Sequence, residues 1–132
     1  MGQVMLKIEK KIKLLSVNQC WQGQRFKTKA YKDYEKILLY TLPRHKIDCE
    51  KYYIVFIFNF SSPRADWDNP IKPLQDILQK KYNFNDCDII NALVLKNIVP
   101  KKDEGFKIYL GDASNFCDDI ATILNQSKEQ NS

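Results

Sequence analysis

The spacing of hydrophobic residues predicts four strands. Val4–Leu15 starts with apolar residues at every second position, which is typical of a strand with one buried face. Lys51–Phe60 is β-branched and aromatic almost throughout and favours a buried central strand. Asp88–Val99 and Phe106–Leu110 predict a third and a fourth strand, which we expect to pair as a hairpin across the turn at residues 100–105.

Three further segments have apolar residues at helical spacing. The first runs from an N-cap at Thr28 to about Tyr40. The second begins at Asn69–Pro70, with the asparagine as N-cap and the proline at the first helical position. Pro73 either costs this helix one early hydrogen bond or makes its regular part start a residue later. The third covers Ser114–Leu124, and residues 125–132 are expected to form a flexible C-terminal tail.

The order of these elements, β-α-β-α-β-β, predicts the fold class. It indicates an α+β domain of two layers, in which a four-stranded mixed sheet is packed by helices. A chain of 132 residues suits one domain, here residues 1–124. The longest apolar run, Tyr52–Phe58, is far below the roughly 20 residues that cross a bilayer, and no signal peptide is apparent. We therefore expect a cytoplasmic protein without a membrane partner.

Cysteine and histidine usage excludes several kinds of chemistry. The four cysteines form no C-x-x-C pair, and the one histidine, His45, lies in a basic segment. This composition argues against a structural zinc site and against histidine-based catalysis, and it fits reduced thiols.

Charge is distributed unevenly along the chain. Residues 1–60 carry 12 Lys and Arg against 5 Asp and Glu, a net of +7, whereas residues 61–132 carry 9 against 11, a net of −2. A basic half joined to an acidic cluster suits a protein that binds a polyanion and performs metal chemistry on it. A solvated basic face without a partner is equally compatible with the charge alone.

The acidic cluster begins with Asp66 and Asp68. On an extended segment these side chains point to the same side, and two carboxylates so close repel unless a cation or a shared proton lies between them. Oxygen ligands suit Mg²⁺, with Mn²⁺ as a second possibility. Asp86 or Asp88 would join them if the third strand pairs antiparallel with the second. For an isolated D-x-D, an acidic surface loop is the more common explanation.

Lys72 lies four residues after Asp68 and four before Asp76. It could stabilise the transition state of phosphodiester hydrolysis or orient the attacking water. The alternative is a helix salt bridge to either aspartate, worth a few tenths of a kcal/mol.

Basic residues predicted to contact DNA lie in two places. Arg25, Lys27 and Lys29 alternate with aromatic residues in a polar segment that precedes the first helix, a pattern suited to backbone contact and base stacking. Packing against the first helix is the alternative role for the aromatic residues, Trp21 and Phe26. Arg64 and Asn69, beside the acids, are the other predicted DNA contacts.

The arrangement as a whole is more specific than its parts. The chain resembles the RusA family of Holliday-junction resolvases in one pattern of residues. The pattern is Arg64-x-Asp66-x-Asp68-Asn69-x-x-Lys72, followed by a helix and then by Asn85-Asp86 with Ile89 and Lys96. The segment from Ser16 to Tyr31 is also similar to the start of that family. The resemblance extends to about Leu110.

This resemblance implies a homodimeric, Mg²⁺-dependent endonuclease that nicks four-way DNA junctions symmetrically, often encoded by phages, without a nucleotide cofactor. It implies Asp66, Asp68 and Asp86 as metal-binding catalytic carboxylates and Lys72 as the catalytic lysine. Counting back from Lys96 selects Asp86 as the third acid, and Asp88 stays as an alternative. A non-catalytic branched-DNA-binding protein and a metal nuclease acting on other branched DNA are the competing hypotheses.

Overall fold

The four-stranded mixed sheet expected from the sequence is present, and the α+β class is confirmed. The computed structural model describes residues 5–23 and 26–131, with side chains up to Gln126. The strands are β1 Leu6–Lys11, β2 Trp21–Gln22, β3 Phe26–Lys27, β4 Tyr52–Phe60, β5 Ile89–Ile98 and β6 Gly105–Asp112. The helices are α1 Lys29–Thr41, α2 Ile71–Tyr82 and α3 Phe116–Asn131.

The order of strands in the sheet differs from the expected hairpin. It is β1-β6-β4-β5, so β6 lies between β1 and β4 and pairs antiparallel with both. β5 pairs with β4 in parallel, which places Phe60 opposite Ile98 at one end of the sheet and Tyr52 opposite Ile89 at the other. The predicted β5–β6 hairpin was wrong, and the antiparallel pairing of β4 with β5 that would have brought Asp86 or Asp88 to the other acids is not present. A 3₁₀ turn at Lys101–Asp103 lies between β5 and β6, and the chain there passes to the far side of β4.

The sheet is covered on both faces. α1 and α2 pack on one face over the main core, which contains Leu38, Leu74, Ile77 and alternate residues of β4. The other alternate residues of β4 pack with Tyr109, Phe116, Ile120 and Ile123, so α3 covers part of the second face. This two-sided burial explains why β4 is apolar at nearly every position instead of at every second one.

The helix boundaries follow local capping chemistry. The Oγ of Thr28 accepts the backbone N–H of Tyr31 at 3.1 Å, as expected for the N-cap of α1. α2 begins at Ile71 with Pro70 and not Asn69 as its N-cap residue, which is the later of the two starts that the sequence left open. α3 continues to Asn131, so the expected end at Leu124 was wrong. None of the described helices combines the length and apolarity that crossing a bilayer requires.

Candidate active site

The segment with Asp66 and Asp68 joins the end of β4 to the start of α2. We call residues 61–70 the acidic loop. It lies at the carboxyl end of the parallel strands β4 and β5, the end at which open α/β sheets commonly bind ligands. Arg64, Asp66, Trp67 and Asp68 are all exposed there.

Lys96 of β5 fixes the position of the acidic loop. Its Nζ donates hydrogen bonds to the carbonyl oxygens of Pro63, at 3.0 Å, and of Ala65. The same ammonium group lies 5.7 Å from the ring centre of Phe60, a cation–π distance. From the sequence, Lys96 was used only to select Asp86 by its spacing along the chain. Its contact with the acidic loop could not be predicted from the sequence, because the bonded residues are separated by 33 and 31 positions along the chain.

The acidic loop consists of successive turns. The backbone N–H of Asn69 donates to the carbonyl of Asp66 at 3.4 Å, and that of Ile71 donates to the carbonyl of Asp68 at 3.1 Å. The argument that Asp66 and Asp68 share one side of an extended strand therefore does not apply. They are instead two exposed acids on a tight bend.

Asn69 links this bend to the N-terminal part of the chain. Its side-chain amide donates to Oδ2 of Asp66 at 3.3 Å, and its backbone carbonyl oxygen accepts a hydrogen bond from the backbone N–H of Val17 at 3.0 Å. The segment before α1, which the sequence predicts to contact DNA, therefore lies against the acidic loop. The hydrogen bond from the amide also restricts the orientation of the Asp66 carboxylate.

Lys72 makes the salt bridge that the sequence offered as its alternative role. Its Nζ lies 3.0 Å from Oδ1 of Asp76, one helical turn further along α2. The lysine side chain is 61% exposed, so the pair is screened by water and contributes only a few tenths of a kcal/mol. Such a weak bond leaves Lys72 able to exchange Asp76 for a phosphate.

Asp86 and Asp88 lie at the opposite end of β4 and β5. Because these strands are parallel, the start of β5 is adjacent to the start of β4, roughly 30 Å from the carboxyl end at about 3.3 Å per residue. Asp88 forms an ion pair with Lys51 at 2.9 Å, and this hydrogen bond raises the pKa of Lys51. Asp86 is exposed.

The expected set of three carboxylates is thus not assembled within one chain. No group of three or more His, Cys, Asp or Glu residues in the described part of the chain is placed to hold a metal ion together. The acidic loop supplies Asp66 and Asp68, whereas Asp86 lies at the other end of β5.

The basic segment before α1 forms the small β2–β3 hairpin. Lys27 pairs with Glu35 at 3.1 Å and lies 5.2 Å from the ring centre of Tyr31. Lys80 of α2 also pairs with Glu35, at 2.9 Å. Burial acts to raise the pKa of the Glu35 carboxyl, but the hydrogen bonds from Lys80 and Lys27 outweigh it and the pKa is lowered.

The other predicted DNA contacts differ in their availability. Lys29 is exposed at the start of α1, whereas Arg25 lies outside the described residues. Trp21 packs edge-on against Tyr31 with ring centres 5.7 Å apart, as its alternative role required, yet it stays 39% exposed. Phe26 is 73% exposed, so packing against α1 does not explain it.

An open cleft of about 270 Å³ connects the hairpin to α2. It is lined by Trp21, Lys27, Tyr31, Asp76, Gln79 and Lys80. Asp76, which lines the cleft in the middle of α2, is also the partner of Lys72. The sequence suggested the basic and the acidic segments separately, and the fold brings them to one side of the molecule.

A second cavity, of about 510 Å³, opens near the carboxyl end of the sheet, where β4 and β5 end. Its lining includes Lys10, Lys11, Lys107, Asn59 and Asn97. The sequence gave no sign of it, because these residues come from four different strands.

Comparisons with known proteins do not assign the chain to a family. No family model matches the sequence, and no curated protein matches it. Among solved structures, the periplasmic domain of MotB from Helicobacter pylori is similar over 96% of this chain and 97% of that one, at 14% identity and a TM-score of 0.31. A TM-score this low supports no conclusion about fold or function.

Proposed function

We propose that this protein is a metal-dependent endonuclease that cuts branched DNA, with the four-way Holliday junction as its substrate and a homodimer as its active form. The observation that carries the proposal is the acidic loop: two exposed aspartates, fixed by Lys96 at the carboxyl end of parallel strands, with Lys72 at the start of the next helix. This matches the order of the residues that resemble the RusA family.

The acidic loop fits a magnesium ion. Mg²⁺ is commonly held through one or two protein carboxylates together with waters and substrate phosphates, so Asp66 and Asp68 would be its ligands from this loop when DNA is bound. When bound, the ion would neutralise charge on the scissile phosphate and lower the pKa of a water ligand.

The surrounding residues have separate tasks in this proposal. Asn69 orients the Asp66 carboxylate through a hydrogen bond from its side-chain amide, and Lys96 fixes the position of the acidic loop relative to β5. Lys72 leaves Asp76 and donates to a phosphate oxygen, where its positive charge favours the more negative transition state. Arg64 is exposed in the same loop and is available to a neighbouring phosphate.

The basic cleft supports a DNA partner. Lys27 and Lys80 line it together with Trp21, which combines positive charge with an exposed aromatic edge. Cations that follow a phosphate backbone and rings that stack on unpaired bases are the usual means of holding DNA at a branch. Residues 1–60, with a net charge of +7, would supply most of this attraction.

Cleavage of a panel of synthetic substrates tests the proposal. With Mg²⁺, the wild type should nick a four-way junction faster than flaps, forks or linear duplex. Asp68→Asn should lose cleavage at least 100-fold while binding the junction with unchanged affinity. Asp118→Asn is the matched control, because Asp118 is an exposed acid on α3, away from the acidic loop.

Two outcomes would replace the proposal. A wild type that binds junctions but cuts none of the substrates would support the non-catalytic branched-DNA-binding protein, which the Lys72–Asp76 ion pair and the distant Asp86 also favour. Faster cutting of flaps or forks than of junctions would support a different branched-DNA nuclease.

A further inference from the structure

The acidic loop exposes one large aromatic side chain between its two aspartates. Trp67 lies between Asp66 and Asp68 and is 54% exposed. None of the hydrogen bonds and ring contacts found in the described part of the chain involves its indole ring. Single exposed hydrophobic residues are common at protein surfaces, so exposure alone has no functional meaning. What distinguishes Trp67 is its position.

The loop buries its smaller apolar residues and leaves its largest one in solvent. Ala65 and Ile71, on either side of Trp67, are partly buried and pack against the main core. Aromatic side chains contribute a larger buried area when they enter a core, so burial alone would have favoured Trp67 over Ala65. The fold thus gains little stability from this ring.

Hydrogen bonds on both sides of Trp67 hold its backbone in place. The carbonyl oxygen of Ala65 accepts a hydrogen bond from Lys96. The carbonyl oxygens of Asp66 and Asp68 each accept from the backbone N–H group three residues further along the chain. Because this backbone is already fixed, stacking a ligand on the indole ring costs little conformational entropy.

The neighbouring carboxylates determine what kind of ligand can stack on the ring. Asp66 and Asp68 repel a bare phosphate group, whereas a nucleobase is uncharged and has a flat π-face. Trp67 is joined to each aspartate through one peptide unit, with consecutive Cα atoms about 3.8 Å apart. A nucleotide whose phosphate lies at the aspartates therefore has its base within reach of the indole ring.

Only an unpaired base offers its face to such a ring. In linear duplex DNA each base is covered by its neighbours, and the stack must be opened before a side chain can enter it. At a branch the stack is already interrupted, so a base face is available at a lower cost. An aromatic ring beside the aspartates would therefore favour branched DNA over linear duplex.

The basic hairpin beside the loop has exposed aromatic residues of the same kind. Phe26 is 73% exposed and Trp21 is 39% exposed. The hydrogen bond from Val17 to the carbonyl oxygen of Asn69 holds the segment before this hairpin against the acidic loop. DNA that lies along the hairpin is thus led to the loop that carries Trp67.

We propose that Trp67 is a binding site for an unpaired nucleobase and that it selects branched over linear DNA by stacking on a base at the branch. The proposal rests on the function proposed above, since it takes branched DNA as the ligand, but it does not require that the DNA is cut.

Affinities for matched DNAs test the selectivity. Trp67→Ala should bind a four-way junction about 10-fold more weakly, which corresponds to about 1.4 kcal/mol and lies within the range of base–aromatic stacking. It should bind linear duplex as the wild type does, and Trp67→Phe, which keeps a ring, should recover most of the loss. Tyr40→Ala removes an 89% exposed aromatic residue of α1, outside the acidic loop, and should change neither affinity. Equal losses on junction and duplex, or no loss on either, would overturn the proposal.

Tryptophan fluorescence reports on the ring itself. The chain has two tryptophans, so Trp21→Phe/Asp68→Asn leaves Trp67 as the only one and blocks cleavage. At saturating DNA, which the anisotropy of a labelled strand verifies, a junction should quench this emission at least twofold by stacking. Linear duplex, and a junction with abasic sites at the branch, should leave the emission nearly unchanged. Equal quenching by the intact and the abasic junction would show that no base stacks on Trp67.

These outcomes are separable from those of the proposed function. Quenching by the intact junction alone would support the base site even if the wild type cut no DNA, which would remove the nuclease. Junction cleavage by the wild type, together with full selectivity in Trp67→Ala, would contradict the base site and leave the nuclease in place. If the wild type bound no branched DNA, both proposals would be wrong.

Discussion

Lys96 is the residue on which the position of the acidic loop depends. It donates to two backbone carbonyls of that loop from near the carboxyl end of an edge strand, and its ammonium group lies over the ring of Phe60. Hydrogen bonds from a charged donor contribute about 1 to 3 kcal/mol each when they are shielded, and less at an exposed position such as this one. The more important effect concerns geometry, because a catalytic group displaced by about 1 Å can cost 100-fold in rate.

Lys96→Met should therefore reduce junction cleavage at least 10-fold while lowering the free energy of unfolding by only about 1 kcal/mol. Cleavage kinetics and urea denaturation measure the two effects separately. Lys101→Met removes a nearby exposed charge without touching the loop and should change neither quantity. Equal and small effects from both substitutions would show that Lys96 does not position the acids.

The sequence supported the choice of candidate residues in the acidic loop but not their geometry. It indicated Asp66, Asp68 and Lys72 by spacing, and the fold puts them in one loop and the adjoining helix. It assumed an extended backbone at Asp66–Asp68, whereas hydrogen bonds from Asn69 and Ile71 fold this segment into turns. Turns of this kind depend on where the following helix begins, and α2 begins at Ile71, one residue after the position expected from an Asn69 cap.

Glu35 joins three elements of the structure through its carboxylate. Its carboxylate accepts from Lys27 of the β2–β3 hairpin and from Lys80 of α2, while Glu35 itself belongs to α1. The side chain is only 16% exposed, so these ion pairs are better shielded than those on the open surface. They fix the basic hairpin against the two helices.

Glu35→Gln should lower the free energy of unfolding at pH 7 by about 1 to 2 kcal/mol, because the lysines lose their charged acceptor. The pKa of Glu35 is lowered in the folded protein, so its contribution is present above the ordinary glutamate pKa and is lost as the pH falls through the folded value. The stability difference between wild type and variant should therefore disappear at acid pH. Urea denaturation at pH 7 and in steps below pH 4.5 measures it.

The same substitution should act on DNA binding in the opposite direction. With Glu35 neutral, Lys27 and Lys80 keep their charge and lose their internal partner, so junction affinity should rise about 3-fold. Glu50→Gln removes one acid elsewhere on the surface and serves as the control for net charge. A loss of junction affinity in Glu35→Gln would mean that DNA binding depends more on the fixed position of the hairpin than on its positive charge.

Strand pairing is the part of the fold that local patterns did not reveal. The four strands of the sheet and the three helices were recognisable from periodicity, since each reflects burial of its own side chains. The turn after β5 has the composition of a hairpin turn, yet β6 enters the sheet between β1 and β4. β4 and β6 are buried on both faces, which favours their central positions in the sheet. No residue in the turn after β5 encodes this order of strands.

Positive charge is concentrated in the N-terminal half of the chain, whereas the candidate catalytic residues follow that half in the sequence. The fold brings the two together through the contact of Asn69 with Val17 and through the cleft between the hairpin and α2. The net charge of +5 at neutral pH favours association with a polyanion.

Junction binding should therefore weaken steeply with salt, because each lysine or arginine that contacts a phosphate releases a condensed counterion. Between 50 and 200 mM NaCl we expect a loss of affinity of about 1,000-fold, which corresponds to six or so phosphate contacts on the two subunits. Fluorescence anisotropy of a labelled junction, with catalysis blocked by Asp68→Asn, measures the slope. An affinity that does not change with salt concentration would contradict the proposal that the basic N-terminal half binds the DNA.

A supercoiled plasmid with an extruded cruciform would show whether the acidic loop hydrolyses DNA at a branch with the help of a divalent metal. In Mg²⁺ the wild type should convert the plasmid to the linear form by paired nicks at the base of the cruciform, while Asp68→Asn should leave it supercoiled. If the plasmid stays supercoiled with bound wild type in both Mg²⁺ and Mn²⁺, the acidic loop is not a nuclease site.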